Sequence, residues 1–428
     1  MASFASKLSR LPKMPGEAPS VELAVPKIAP GPESPAEAAL RSKPTLDELR
    51  NRISRIVAKV SAPAPRPNPT ATELPFYLER TDVGPLYVRR EKAVPAARVG
   101  RVPLVSARDA DPAMLSLLAL DPALATCDVR KALFLDTETT GLQGGTGTVP
   151  FLLGMAFYDA NHGGFVLEQA LLRRLGEEAP ILELATRRLE EASMIITYNG
   201  KSFDMPLLRT RFIMNRLPVP ADKPHLDLVH VARRIHGQRL KNRTLVNIEN
   251  EVLGRERVGD VAGADVVACY MHYLRTGDDS ALSGVVEHNA ADVLSMVALV
   301  GLYGEPLGSL GGADLAGVAK TLRRAGQLER AAEMADAALD KGGGSIARRA
   351  RGDIAKARGD KARALLDYEV LATEVDDPSV RLELAKLYEH HVKAFTSALA
   401  LVEQGTGETN LDLEKRKARL ARKIERSA

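Results

Sequence analysis

The chain has 428 residues, 45% of them hydrophobic and 27% charged, and its formal net charge is +4. Such a chain buries a sizeable core and has room for about two or three domains. The small net charge excludes a polycation, so any nucleic-acid binding depends on local basic patches. No apolar run approaches the roughly 18 to 20 residues of a transmembrane helix, and we expect no membrane partner.

The cellular compartment is predicted from the first residues and from the cysteines. Residues 1–10 lack the uninterrupted apolar core of a secretory signal. Cys127 and Cys269 lie far apart and outside any metal-ligand spacing, so we expect neither a disulfide nor a zinc site. These features favour a cytoplasmic protein with both thiols reduced.

Residues 1–75 are rich in Pro and Ala, with prolines clustered over 12–35 and 63–69. This composition predicts a disordered arm. Within the arm, apolar residues recur at helical spacing over 45–60 behind a Thr45 cap, and this pattern predicts a transient helix.

From residue 76 to residue 305 the sequence predicts an α/β domain. The predicted elements are, in chain order, a strand at 86–88, a helix at 112–120, strands at 132–135, 151–158 and 164–171, a helix at 177–191 and a strand at 194–198. Turn-forming residues over 159–163 predict that three successive strands form a meander. A crossover helix before the next strand indicates a sheet of mixed direction.

Residues 313–405 are Ala-rich and carry paired amphipathic helical patterns. Two similar units begin at Gly326 and Gly359, and a degenerate third unit lies near 391–401. Their spacing resembles that of tetratricopeptide helix pairs and predicts an all-α helical-repeat domain that offers a surface to a protein partner. A plain helical bundle is the alternative. A basic C-terminal helix is predicted over 406–428.

The apolar strand over 132–135 ends in two carboxylates, Asp136 and Glu138, and then Gly141. Alternate strand residues project to the same face, so these like charges lie side by side while Thr137 points the other way. Neighbouring carboxylates resist ionising together, and a divalent cation between them relieves the repulsion. A strand end that turns polar where it meets solvent explains the bare pair more simply.

Further carboxylates and one imidazole are predicted to converge on this pair. Asp204 follows a turn at Asn199 and Gly200 and lies in the first turn of a helix at the carboxyl edge of the sheet. His288 and Asp292 are four residues apart in a later helix, so they share one helical face. Alone, each feature fits an ordinary helix terminus or a solvent-facing pair. Together and in this order, they predict a catalytic site.

In these motifs the chain resembles the exonuclease branch of the ribonuclease-H-like superfamily, named DEDD after its four acidic residues. Asp136–Gly141 resembles the first motif, Asn199 with Phe203 and Asp204 the second, and His288–Asp292 the third. Over about residues 75–305 the chain is similar to the YprB-like bacterial subgroup. The segments that carry this similarity are His225–Leu228, Arg233–Arg234, Val252–Arg257, Tyr270–Asp278 and Asn289–Val293.

The resemblance implies a ribonuclease-H-like mixed sheet flanked by helices and a metal-dependent 3′–5′ exonuclease acting on single-stranded DNA or RNA. It implies two Mg²⁺ or Mn²⁺ ions about 4 Å apart that flank the scissile phosphate. Asp136 would bridge both ions. Glu138 and Asp292 would bind the ion that activates water, and Asp204 would bind the other ion. The resemblance also implies a set of substrate-binding residues, namely Thr139, Gly141, Leu142, Asn199 and Phe203.

His288 departs from the family pattern. One branch of the family has Tyr four residues before the last Asp and another has His five residues before it, whereas His288 stands at the tyrosine spacing. We expect His288 to take the tyrosine's place and to orient the attacking water or accept its proton, because an imidazole with a pKa of about 6.5 accepts protons at neutral pH. A site of reduced competence is the alternative.

Two other functions fit parts of the pattern. Phosphohydrolases of the haloacid-dehalogenase type begin with a strand ending in Asp-x-Asp, but here the second acid is Glu138 and no downstream lysine motif stands out. The second is a non-cleaving scaffold on a nuclease-like fold that binds nucleic acid or proteins. The unusual His288 and the appended helices favour a scaffold, whereas the presence of all four acids favours cleavage.

Overall fold

The computed structural model describes residues 51, 74–94, 96–141, 146–304 and 307–427. The described residues from 74 onward belong to one compact unit. The predicted disordered arm and its helix over 45–60 lie outside the described residues, apart from Asn51 and the last residues of the arm. Leu142 also lies outside them.

A sheet of mixed direction forms the centre of the N-terminal part. The strands are β1 (Tyr77–Thr81), β2 (Gly84–Lys92), β3 (Arg98–Val99), β4 (Val102–Pro103), β5 (Ala132–Thr139), β6 (Pro150–Asp159), β7 (Gly164–Leu171), β8 (Met194–Thr197) and β9 (His225–Asp227). Among the described residues, seven strands form one sheet in the order β1-β2-β7-β6-β5-β8-β9. Because β5 is antiparallel to β6 and parallel to β8, the predicted mixed α/β sheet is confirmed.

The structure differs from the predicted strands mainly near the two edges of the sheet. The sequence does not predict β1, because Tyr77 and Leu78 are largely exposed and leave no pattern of buried alternation. β9 has three residues, too few for a periodic signal. β2 is longer than the predicted segment because only Leu86 and Val88 of its residues are buried.

Helices cover both faces of this sheet. They are α1 (Pro112–Ala119), α2 (Ala179–Glu191), α3 (Asp204–Met214), α4 (Leu228–His236), α5 (Leu245–Ile248), α6 (Gly263–Thr276) and α7 (Leu282–Tyr303). Phe134 of β5 packs into one core with Met296 of α7. Leu133 and Leu135 belong to the other core, which also contains Leu182 of α2. Burial on both faces explains why the sequence of β5 begins as an uninterrupted apolar run.

The long helix α7 lies at the centre of the protein. Among the described residues it is the one helix long and apolar enough to span a membrane, by length and composition. However, 72% of its apolar window is buried inside the protein. Its residues contribute to both cores of the sheet, so the apolar character of α7 is accounted for by packing.

The C-terminal part is wholly helical in its described regular elements. The helices are α8 (Gly312–Arg324), α9 (Leu328–Asp340), α10 (Gly344–Arg358), α11 (Lys361–Glu374), α12 (Pro378–Leu387), α13 (Phe395–Glu403) and α14 (Asn410–Ser427). Over residues 312–403, all of them described, six helices follow one another as three pairs. The turn within each pair contains a residue in the left-handed conformation, Gly326 (φ 79°), Gly359 (φ 82°) or Lys393 (φ 65°). This regular junction explains the repeat seen in the sequence.

The first C-terminal helices share the core of the sheet domain. Ala319 of α8 and Ala350 of α10 belong to the same apolar cluster as Phe134. Gly317 of α8 lies directly on α4, where a β-carbon would be 2.0 Å from the carbonyl oxygen of Ile235. The close approach of the two backbones therefore requires glycine at this position.

We predict that Gly317→Ala destabilises the protein by about 1–3 kcal/mol, the usual range for overpacking, even though alanine favours helix by about 1 kcal/mol. Urea unfolding measures the effect. The matched control is Gly308→Ala, where no atom lies within 4 Å of the added carbon. Equal stability of the two variants would show that α8 and α4 are not in backbone contact.

Candidate active site

The first two acidic residues lie at the end of β5. Asp136 and Glu138 are alternate residues of the strand, and each is partly buried. The pairing of β5 with β6 shifts register between Glu138 and Thr139. Thr139 then donates a hydrogen bond of 2.8 Å to the carbonyl oxygen of Gly141. This register shift, a β-bulge, and the turn after it end the strand. The two carboxylates therefore lie at the end of β5, at the border of the buried core.

A tight turn after β8 leads to the third acidic residue. Asn199 has a φ of 71°, and a β-carbon on Gly200 would lie 2.6 Å from side-chain atoms of Thr197. Asp227, at the end of β9, accepts hydrogen bonds from the backbone N–H groups of Asn199 (2.7 Å) and Lys201 (3.1 Å). The neighbouring strand thus braces the turn from which α3 begins.

Asp204 is attached directly to β5. Its Oδ1 accepts hydrogen bonds from the backbone N–H of Thr137 at 3.0 Å and from the Thr137 hydroxyl at 2.5 Å. Burial raises the pKa of Asp204 to about 6, although the hydrogen bonds from Thr137 oppose this rise. The residue between the first two acids therefore fixes the position of the third.

α7 supplies the histidine and the fourth acid from one face, as the four-residue spacing predicts. His288 Nε2 lies 3.7 Å from Asp292 Oδ2. His288 Nδ1 lies 2.7 Å from Asp260 Oδ1, and a carboxylate only accepts, so Nδ1 carries the proton of this bond. Burial lowers the pKa of His288, but the bond to Asp260 and the charges of Asp292 and Glu138 raise it on balance.

A loop between α5 and α6 brings an arginine into the site. The Arg257 guanidinium donates to Asp292 Oδ1 and forms two hydrogen bonds of 2.5 Å to Glu249. Its Nη1 also lies 3.2 Å from Asp260 Oδ2. The Arg257 and Glu249 side chains are 5% and 0% exposed. This buried guanidinium fixes the orientation of Asp292 through one carboxylate oxygen.

Sequence reasoning assigned no role to several of these residues. Arg257 and Asn289 lie in segments that support the family resemblance, but no spacing connects Arg257 to Asp292 or Asn289 to Asp136. Asp260 and Glu249 carry no motif at all. Asn289 lies 153 residues from Asp136, Arg257 lies 35 from Asp292, and Asp260 lies 28 from His288, so only the tertiary fold identifies these contacts.

The predicted catalytic residues are close enough to alter one another's pKa. Burial raises the pKa of Glu138 to about 7, with Asp292, Asp204 and Asp260 adding to the rise and His288 opposing it. Burial and the charges of Asp292, Asp204 and Glu138 raise the pKa of Asp136 well above its ordinary value. These raised values indicate a deficit of positive charge in the site.

The donor set fits a hard divalent cation, because every acidic group offers carboxylate oxygens. In the described ranges, however, no three His, Cys, Asp or Glu side chains are arranged around a common metal position. Asp204 is bonded to Thr137, and Asp292 is bonded to Arg257. Hydrogen-bonding partners therefore hold these two acids in their present orientations.

The other predicted site residues border this cluster. Thr139 and Gly141 follow Glu138, Asn199 occupies the tight turn, and Phe203, next to Asp204 in the chain, is 54% exposed. The position of Leu142 lies outside the described residues.

Comparison with known proteins gives two matches. Residues 133–303 match a family model described as the RNase H superfamily. The chain is also 30% identical over 305 residues to the uncharacterized protein YprB of Bacillus subtilis (strain 168), an alignment that covers 68% of this chain and 73% of that protein.

The raised pKa values predict that the metal-free protein loses stability as the pH rises. Burial raises the pKa of Glu138 from 4.5 to about 7 and that of Asp204 from 3.8 to about 6 in the folded protein. At these two side chains the folded protein binds more protons than the unfolded chain between about pH 4 and pH 7, so the stability that they contribute below pH 4 is lost as the pH passes about 7. Urea unfolding with a chelator at pH 5 and pH 8 measures the loss.

Glu138→Gln removes one of these charges and is expected to reduce the loss of stability between the two pH values. The exposed Glu256→Gln is the matched control and is expected to leave the loss unchanged. An identical pH dependence in Glu138→Gln and the unsubstituted protein would contradict the burial of a repelling charge at residue 138.

Proposed function

Because the chain belongs to the RNase H superfamily, we propose that it is a metal-dependent exonuclease that hydrolyses phosphodiester bonds from the 3′ end of single-stranded DNA or RNA. The observation that carries this proposal is the gathering of Asp136, Glu138, Asp204 and Asp292 beside His288. Their pKa values are raised by burial and, for Asp136 and Glu138, by the other acids. A protein gains nothing in stability from such a cluster, whereas a phosphodiesterase needs it to hold cations.

The proposed ligands are two Mg²⁺ or Mn²⁺ ions. Asp136 would contact both ions, Glu138 and Asp292 the ion near the nucleophile, and Asp204 the other ion. When bound, such ions lower the pKa of water and stabilise charge on the phosphate oxygens. The protein's own contribution is orientation, because Thr137 holds Asp204 and Arg257 holds one oxygen of Asp292.

His288 is proposed to orient the attacking water in the place of the family's tyrosine. The support for this role is the bond from Nδ1–H to Asp260, which fixes the ring and leaves Nε2 on the side of Asp292. A histidine held by a carboxylate at one nitrogen and presenting the other to the reactants is a recurrent arrangement in hydrolases.

The proposed substrate-binding residues surround the carboxylates. The exposed ring of Phe203 would stack on a base of the single strand, a contact that every base permits. Thr139, Gly141, Leu142 and Asn199 would contact the terminal nucleotide. The C-terminal helix pairs are proposed as tetratricopeptide-like units that bind a protein partner, on the basis of their regular left-handed junctions.

A non-cleaving scaffold is the second candidate, and one observation favours it. Arg257 already occupies Asp292 Oδ1 and is itself bound by the buried Glu249. A protein that no longer used a cation at this position would keep such a fixed positive charge in its place. Assays of cleavage separate the two functions.

We expect Asp136→Asn and Asp292→Asn to abolish Mg²⁺-dependent degradation of end-labelled single-stranded DNA and RNA, because each removes a charge that holds cations. The assay includes EDTA, labels at both ends and the exposed Glu256→Gln as a control with full activity. If the unsubstituted protein still degrades the substrate in EDTA, the activity does not depend on a metal ion. If both variants degrade it, the active site lies elsewhere. Metal-dependent binding without degradation would support the scaffold.

His288→Ala is expected to lower kcat by about 100- to 10,000-fold, the range for loss of a group that handles the nucleophile's proton. His288→Tyr restores the residue usual at this spacing and is expected to keep more activity than His288→Ala. If the two substitutions are equally damaging, His288 does not act in the tyrosine's place. Thermal unfolding of both variants separates loss of activity from loss of fold.

A further inference from the structure

A buried chain of hydrogen bonds leads from the near-surface Arg89 to Asp136. Arg89 Nη1 donates to Gln169 Oε1 at 3.3 Å, and Gln169 Nε2 donates to Asn289 Oδ1 at 2.9 Å. Asn289 Nδ2 then donates to Asp136 Oδ2 at 2.8 Å. The four residues come from β2, β7, α7 and β5, so the chain of bonds crosses the sheet and joins it to the helix that carries Asp292.

The chemistry of the first residue sets the direction of every bond in this chain. An arginine only donates, so the oxygen of Gln169 must face Arg89 and its nitrogen must face Asn289. Gln169 Nε2 also donates to the carbonyl oxygen of Val286 at 2.9 Å, which fixes the same orientation independently. Asn289 must therefore present its nitrogen to Asp136.

The sheet contains a slot for the Asn289 side chain. Asp136 pairs with Gly154 on β6, and Gly154 pairs with Gln169 on β7. A β-carbon on Gly154 would lie 2.1 Å from Asn289 Oδ1, so any larger residue would displace the amide. Gln169 and Asn289 are both fully buried. A glycine in the middle of a central strand is unfavourable by itself, and here it admits the amide that reaches Asp136.

The outer end of the chain of bonds is also anchored. Arg89 forms ion pairs with Glu91 at 2.6 Å and with Glu287 of α7 at 2.7 Å. Arg89 thereby ties β2 to the helix turn that contains Asn289. The chain of hydrogen bonds is therefore held at both ends, by the ion pairs of Arg89 and by the buried slot over Gly154.

We propose that Asn289 is a positioning residue that holds the Asp136 carboxylate in one orientation as a metal ligand, through a relay of Arg89, Gln169 and Asn289. This inference rests on the proposed metal-dependent function. Asn289 has no role in the chemistry itself, and its effect on the cation passes through Asp136. Loss of a hydrogen-bonding partner behind a metal ligand typically weakens metal binding by about 10- to 100-fold.

The test is the Kd for Mn²⁺, measured by electron paramagnetic resonance and calorimetry on the full chain without substrate. Asn289→Leu keeps the size of the side chain and removes the donor, and we expect a Kd about 10- to 100-fold higher. Ser295→Ala is the matched control, because Ser295 is equally buried on α7 but lies against Arg255. This control is expected to bind Mn²⁺ like the unsubstituted protein.

Gln169→Leu tests the relay itself, since Gln169 bonds to Asn289 and not to Asp136. We expect it to weaken Mn²⁺ binding, and we expect the double variant with Asn289→Leu to be no weaker than Asn289→Leu alone. Thermal unfolding of each variant is measured in parallel. A fold-change in Kd among variants that unfold at similar temperatures separates positioning from a general loss of structure.

The outcomes distinguish this inference from the proposed function. Unchanged Mn²⁺ binding in Asn289→Leu overturns the relay and leaves the exonuclease standing. If the unsubstituted protein binds Mn²⁺ but cleaves no nucleic acid, and Asn289→Leu weakens that binding, the relay is supported and the exonuclease is overturned. If the unsubstituted protein binds no Mn²⁺, Asp136 is not a metal ligand and both proposals fail.

Discussion

The mutual repulsion of four partly buried carboxylates is the constraint on which this structure depends. Asp136, Glu138, Asp204 and Asp292 lie close enough that burial and like charge raise their pKa values. Left to themselves, these side chains would turn toward water or take up protons. The protein instead gives three of them a specific hydrogen-bonding partner, so that the charges are held in place although they repel one another.

Each of these partners comes from a different part of the fold. Thr137 of β5 holds Asp204, Asn289 of α7 holds Asp136, and Arg257 of the loop before α6 holds Asp292. Such a distribution requires a rigid framework, since a shift of about one ångström would break any of these bonds. The two cores on either side of the sheet, with α7 contributing to both, supply that rigidity.

The C-terminal helices add to this framework. α8 rests on α4 through Gly317, and buried residues of α8, α9 and α10 continue the core that includes Phe134. The helix that carries His288 and Asp292 therefore has packed neighbours both on the sheet and beyond it. Packing therefore links the repeat-like helices to the site.

The sequence by itself determined the central strands of the sheet, the main helices and the acidic residues. The apolar run of β5 predicts a central strand, alternation places Asp136 and Glu138 on one face, and helical spacing brings His288 to within 3.7 Å of Asp292. These are local periodicities, and they do not depend on the rest of the chain. The family resemblance, which rests on the same residues, gave the correct superfamily.

Only the tertiary structure decided what surrounds those acids. Asn289 meets Asp136 across 153 residues of chain, and Arg257 meets Asp292 across 35. No periodicity connects residues so far apart, because their contact depends on strand order, on the slot at Gly154 and on the path of a loop. Local pattern selected the groups that carry the charge, and long-range packing fixed their orientation and their hydrogen-bonding partners.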